Sequence, residues 1–164
     1  KKRETVLEVA ARVRAEQPDV HLVMVGVLTP ALAAQADRVG LEDALHVPDR
    51  VALNHMPTLY TSAAVLIFPY HYEGFGLPVL EAQMCGKPVV CSDRRALPEV
   101  IEVSALIGHP SSPLELTNGC VDVLANVPKP IPKNHLELTD WMHKHFNIYA
   151  SNLPSQKRPA RIIQ

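Results

Sequence analysis

Cysteine is scarce in this chain, with three residues at positions 85, 91 and 120 among 164. The number is odd and no Cys-x-x-Cys spacing occurs, which argues against a disulfide framework or a zinc site and for reduced thiols in the cytosol. Charge of one sign is lacking too: 16 Lys and Arg against 17 Asp and Glu leave a formal net charge of -1. Such a balance gives no general electrostatic reason to bind nucleic acid or a membrane surface. No stretch approaches the roughly 18 apolar residues of a membrane helix, and the charged start Lys1-Lys2-Arg3 lacks the apolar core of a secretory signal behind it. What is present is a composition 47% hydrophobic and 20% charged, enough for one domain with a sizeable core.

The apolar pattern alternates between helical and strand-like segments. Thr5 to Arg14 places Val6, Val9, Ala10 and Val13 at helical spacing, and Val20 to Gly26 reads as a core strand ending in a turn. Pro30 to Val39 predicts an alanine-rich helix, Leu45-His46-Val47 a short strand and Met56 to Ser62 another helix. Ala63 to Phe68, bounded by Pro69, suits a strand buried on both faces. Pro78 opens a helix running through Cys85, Gly86 fits a left-handed C-terminal cap, and Lys87 to Cys91 is a β-branched strand. Leu114 to Asn126 is a further helix. Pro128, Pro130 and Pro132 then mark a linker. The expectation is an α/β fold, a Rossmann-like parallel sheet flanked by helices over residues 1–127, with a proline-rich linker and tail over 128–164.

The segment with most chemistry in it is Glu73-Gly-Phe-Gly-Leu-Pro-Val-Leu-Glu81. It lies between the strand ending at Phe68 and the helix opened by Pro78, so it occupies the carboxyl end of a parallel strand, where ligands bind in such sheets. Gly74 and Gly76 suit a positive φ or a close approach of backbone N–H groups to a ligand. The exposed N–H groups of a helix start favour a diphosphate, which places Gly76 and Leu77 toward anionic oxygen. A carboxylate accepts paired hydrogen bonds from a diol. Glu73 in the loop and Glu81 one turn inside the helix could therefore grip different parts of one phosphorylated sugar.

These residues resemble the Glu-x7-Glu signature of the retaining, GT-B-fold glycosyltransferases of family 4. The likeness extends in order from Glu4 to Gly26, through Glu73 to Glu81, to Leu97-Pro98-Glu99-Val100 and Ala105-Leu106-Ile107. It implies that the chain is the C-terminal, donor-binding half of such an enzyme. The activity it implies is transfer of a mannose- or glucose-type hexose from a nucleotide-diphosphate sugar, such as GDP-mannose or UDP-glucose, with retention of anomeric configuration. In the catalytic roles it places Glu73, against the transferred sugar, and Lys2, as a diphosphate-binding lysine. In the donor-binding roles it places Phe75, Gly76, Leu77 and Glu81, the last on the ribose hydroxyls. No metal and no cofactor is implied. The implied partners are the nucleotide-sugar donor, a saccharide or lipid-linked acceptor and a missing N-terminal GT-B domain, without which the half is expected to be inactive. The implied location is cytoplasmic, with peripheral membrane association open to the full-length enzyme.

Other readings stand beside these. Lys1-Lys2-Arg3 is equally a solvated basic tail. Arg94 and Arg95 could meet phosphate or acceptor, Ser92 could offer a hydroxyl, and His71 borders the proposed pocket. Glu99 reads as favouring a helix dipole. His143 and His145, with His135 nearby, invite a metal, but two residues apart on a helix do not face each other. The chain has Val27-Leu28 and Asp49 where the family places glycine, and Glu102 and Val103 where it places glycine and an acidic residue. These departures support an alternative, a non-catalytic nucleotide-sugar-binding or regulatory module. A subunit of a two-chain transferase is a further alternative.

Overall fold

The structure, a computed structural model, describes residues 3–69, 76–92, 105–108, 112–126 and 162–163. In chain order the elements are α1 (Arg3–Glu16), β1 (His21–Val23), α2 (Pro30–Arg38), β2 (Leu45–His46), a 3-10 turn (Leu53–His55), α3 (Met56–Ser62), β3 (Ala63–Phe68), α4 (Leu77–Met84), β4 (Val89–Ser92), β5 (Ala105–Gly108), α5 (Pro113–Ala125) and β6 (Ile162–Ile163). Among the described residues the strands form one sheet of order β2-β1-β6-β3-β4-β5, and every pairing is parallel.

The helices begin where short-range chemistry dictates. Thr29 caps α2 by accepting from the Leu32 N–H, and Ser112 caps α5 by accepting from the Glu115 N–H, each with proline in the first turn. At the far end of α4, Gly86 adopts φ +70°, and the Gly86 and Lys87 N–H groups reach back to Gln83 O and Ala82 O at 2.8 and 2.9 Å. That pair of bonds closes the last turn of the helix and turns the chain directly toward β4.

β3 sets the layering, because its side chains alternate between two apolar clusters. Val65 and Ile67 face a core built from Leu7, Val9 and Val13 of α1, Leu32 of α2 and Leu116 and Cys120 of α5. Leu66 and Phe68 face a second cluster with Tyr60 of α3 and Val79 and Ala82 of α4. The sheet is therefore covered on both faces, which is why β3 and β4 read as continuous apolar runs.

β1 differs from the expectation in length. Only His21–Val23 satisfies the strand pattern, although Met24 and Gly26 still donate to His46 O and Pro48 O, each at 2.9 Å. The tail brings a larger difference. Ile162 and Ile163 pair with β1 on one side and β3 on the other, so the end of the segment read as linker and tail enters the middle of the sheet. The prolines at 128, 130 and 132 lie outside the described residues.

The chain steps outward from β1 to β2 in one direction and from β3 through β4 to β5 in the other. The reversal falls between β1 and β3, and the crevice at the carboxyl ends of strands flanking such a reversal is where open parallel sheets bind ligands. β3, whose carboxyl end borders that crevice, is followed in the element order by α4.

Candidate functional site

Gly76 is the last residue before α4 and adopts φ +72°, ψ 39°, a left-handed conformation that costs a side-chain-bearing residue about 1–2 kcal/mol. Its carbonyl accepts from Val79 and Leu80 at 2.9 and 3.3 Å, which starts the helix without any side-chain cap. Pro78 occupies the first turn and has no N–H to satisfy, so the helix begins at Leu77, one residue before the expected start. Among the described residues no side chain caps this helix start, which carries a partial positive charge at the carboxyl end of the sheet.

Glu81 lies one turn further, on a half-exposed position of α4 between the buried Leu80 and Ala82. Its Oε2 accepts a hydrogen bond of 2.7 Å from the hydroxyl of Tyr60, which is 3% exposed and projects from α3. A buried phenol needs a partner, and a carboxylate acceptor makes the bond short and strong. The charge of Glu81 is also felt one turn on. The Cys85 thiol is pushed up to about 12, by burial first and by the nearby charge of Glu81 second, with Lys87 opposing both. Burial in turn lowers the pKa of Lys87, with Cys85 countering.

Of the residues singled out in the sequence, the structure thus brings together Gly76, Leu77 and Glu81 on one helix start. Lys2, Glu73 and Phe75 lie outside the described residues, as do Gly74, His71, Arg94, Arg95, Glu99 and the histidines at 135, 143 and 145. Ser92 closes β4. Among the described residues no three His, Cys, Asp or Glu side chains converge as metal ligands, and no helix is long and apolar enough to cross a membrane.

Sequence reasoning missed two side chains. Tyr60 carried no signal, because a tyrosine on an apolar helix face reads as core and its hydroxyl's partner is 21 positions away. Arg3, grouped with the basic cluster at the chain start, opens α1 rather than belonging to a solvated tail. Its Nη1 donates to Val27 O at 2.6 Å and its Nε lies 2.9 Å from Met24 Sδ, tying the segment after β1 to α1.

Residues 1–126 match the family model described as glycosyl transferases group 1. The chain belongs to that family. Among curated relatives, O-antigen chain mannosyltransferase B of Escherichia coli is 47% identical over 66 residues, 40% of this chain and 16% of that protein. The MMP alpha-(1->4)-mannosyltransferase of Mycolicibacterium hassiacum is 37% identical over 98 residues, 58% of this chain and 24% of that protein. D-inositol 3-phosphate glycosyltransferase of Mycolicibacterium gilvum is 30% identical over 148 residues, 83% and 34% of the two chains. The group 1 chain thus spans between about a sixth and a third of the length of these relatives.

Among solved structures, sucrose-phosphate synthase from Thermosynechococcus elongatus superposes with a TM-score of 0.65 at 27% identity, covering 76% of this chain and 34% of that one. The C-terminal domain of a glycosyl transferase group 1 family protein from Francisella tularensis superposes with a TM-score of 0.67 at 24% identity, covering 76% and 69%. The fold is that of a GT-B glycosyltransferase domain, an α/β sheet of parallel strands flanked by helices.

Proposed function

We propose that this group 1 domain is the donor-binding half of a retaining GT-B hexosyltransferase of family 4, and that it takes a mannose- or glucose-type nucleotide-diphosphate sugar. The observation that carries the reading is the placement of Glu81 one turn inside α4, behind the left-handed Gly76 and a helix start that no described side chain caps, at the carboxyl end of β3. That arrangement offers N–H groups to a diphosphate and a carboxylate to a diol from the same short helix. The names of the relatives, two mannosyltransferases and an inositol-phosphate glycosyltransferase, support glycosyl transfer as the chemistry.

In this reading Glu81 accepts from the ribose hydroxyls. The backbone at Phe75, Gly76 and Leu77 serves sugar and diphosphate, Glu73 orients the hexose, and Lys2 meets the phosphates. As the sugar leaves, negative charge grows on the diphosphate. Donors already aligned toward it stabilise that charge without having to reorganise. The acceptor sugar or lipid-linked saccharide is delivered by a second, N-terminal domain.

Calorimetric titration of GDP-mannose and UDP-glucose into the wild-type chain and Glu81→Ala tests the reading. Hydrogen bonds to a charged group contribute about 1.5–3 kcal/mol each, so the variant is expected to bind the preferred donor about 10- to 100-fold more weakly. Superimposable titrations of wild type and variant would remove Glu81 from the site and the proposal with it. A thermal-shift panel of nucleotide sugars identifies the base and hexose, since a ligand at 100 times its Kd stabilises the fold by about 2.7 kcal/mol.

A further inference from the structure

We propose that Tyr60 is a positioning residue for the ribose-binding carboxylate: its buried hydroxyl, 2.7 Å from Glu81 Oε2, fixes the Glu81 side chain so that the carboxylate's remaining acceptor capacity points to the nucleotide's sugar hydroxyls. The inference rests on the reading of Glu81 given above and extends it to a residue on a different helix.

A glutamate on a half-exposed helix position has three side-chain torsions and, left to itself, samples many rotamers, each of which places the carboxylate differently. Immobilising such a side chain when a ligand arrives costs about 2- to 12-fold in affinity. The structure removes that freedom in advance. Tyr60 is 3% exposed, and its ring belongs to the apolar cluster that also holds Val79 and Ala82 of the same helix α4. A ring buried in this cluster presents its hydroxyl at one place. A carboxylate anchored there through one oxygen keeps a defined plane and still has lone pairs to accept from a diol. The connection between α3 and α4 is also reinforced lower down, where the Cys85 thiol approaches Pro57 O at 4.0 Å. The tyrosine thus reports the position of α3 to the one helix side chain assigned to the nucleotide.

Tyr60 could instead serve stability alone, with Glu81 merely satisfying a buried phenol. The two roles separate on ribose discrimination. The experiment uses the chain as it is, titrated calorimetrically with GDP and UDP and with their 2′,3′-dideoxy counterparts, for wild type, Tyr60→Phe and Glu81→Gln, with the thermal midpoint of each measured alongside. The expected result is that wild type prefers the ribo form of the nucleotide it binds, Glu81→Gln largely abolishes that preference, and Tyr60→Phe reduces it about 3- to 10-fold while leaving the affinity for the dideoxy form unchanged. Tyr60→Phe with wild-type ribose preference overturns the positioning role, whatever its thermal midpoint. Equal loss of affinity for ribo and dideoxy forms overturns it as well, because that pattern follows from general loosening of α3 against α4. Unaltered ribose preference in Glu81→Gln, or no binding of either nucleotide by wild type, removes the underlying reading of Glu81 and is distinguishable from the other outcomes. Should Tyr60→Phe fail to fold, Tyr60→Trp, which keeps an aromatic ring in the cluster and moves the polar hydrogen, is put through the same comparison with the same two overturning results.

Discussion

Cys85 and Cys120 keep their protons far beyond the usual thiol range, and the cause is the same for both: burial disfavours the thiolate, pushing each pKa from 9.0 to about 12, with the charge of Glu81 adding at Cys85. Below pH 9 both thiols are protonated in the folded and unfolded chain alike. Between about pH 9 and 12 the unfolded chain loses protons that the folded chain retains, so native stability falls, by at most about 1.4 kcal/mol per pH unit for each thiol. Lys87 acts in the opposite sense. Its pKa is lowered by burial below 10.5, so across the window up to 10.5 the unfolded chain holds the extra proton and stability gains with rising pH. Two thiols outweigh one amine above pH 9. Urea unfolding at pH 9, 10 and 11 is therefore expected to show a falling midpoint, and the double variant Cys85→Ala, Cys120→Ala is expected to have a flatter alkaline limb though a lower stability at pH 8. The same protonation makes both thiols slow toward alkylating reagents at pH 8. At this scale the sequence was a partial guide: the odd number of cysteines argued against a disulfide framework, and the three are free thiols, whereas the burial that silences Cys85 and Cys120 depends on which helix covers them.

At the scale of the element, α4 is bracketed by two left-handed glycines with different expected roles. Gly76 starts the helix on the crevice side and Gly86 closes it on the way to β4, with φ +72° and +70°. A Cβ added at Gly86 would meet nothing within 4 Å, so Gly86→Ala carries only the conformational cost of about 1–2 kcal/mol. Gly76→Ala carries a similar cost and in addition disturbs the N–H groups offered at the helix start. Both variants are expected to lower the thermal midpoint comparably, but only Gly76→Ala to weaken nucleotide-sugar binding, by about tenfold; calorimetric titration of the two side by side checks this. The unit β3, α4, β4 was legible almost residue by residue, because Pro69, Gly76, Pro78 and Gly86 punctuate it and proline and glycine act through their own backbones. The tie between Arg3 and Val27 was not, because a long cationic side chain at a chain start carries no mark of where it will land.

At the scale of the whole molecule, β6 is the element that joins the two halves of the sheet. Ile162 pairs with His21 and Ala63, and Ile163 with Leu22 and Val65, so two residues link β2 and β1 to β3, β4 and β5. Ile163→Pro removes a ladder donor in the middle of the sheet and leaves an acceptor unpaired, a loss of about 1–3 kcal/mol. For a chain of this size that corresponds to about 2–4 °C in Tm for each kcal/mol, which differential scanning calorimetry resolves. An unchanged Tm would show that the sheet holds without β6. Helix packing between α1 and α5 over Leu7, Val9, Leu116 and Cys120 then would carry the connection by itself.

Alone, the order of residues determined the alternation of helices and strands, the parallel α/β class and the helix start at which Gly76, Leu77 and Glu81 gather. Those follow from periodicity and from backbone restrictions that act over a few neighbouring positions. Tertiary structure decided the strand order, the insertion of Ile162 and Ile163 between β1 and β3, the anchoring of the segment after β1 by Arg3, and the bond from Tyr60 to Glu81. Each of these joins residues at least 16 positions apart, and such pairings are chosen by the packing of whole layers against the sheet, which no local pattern encodes.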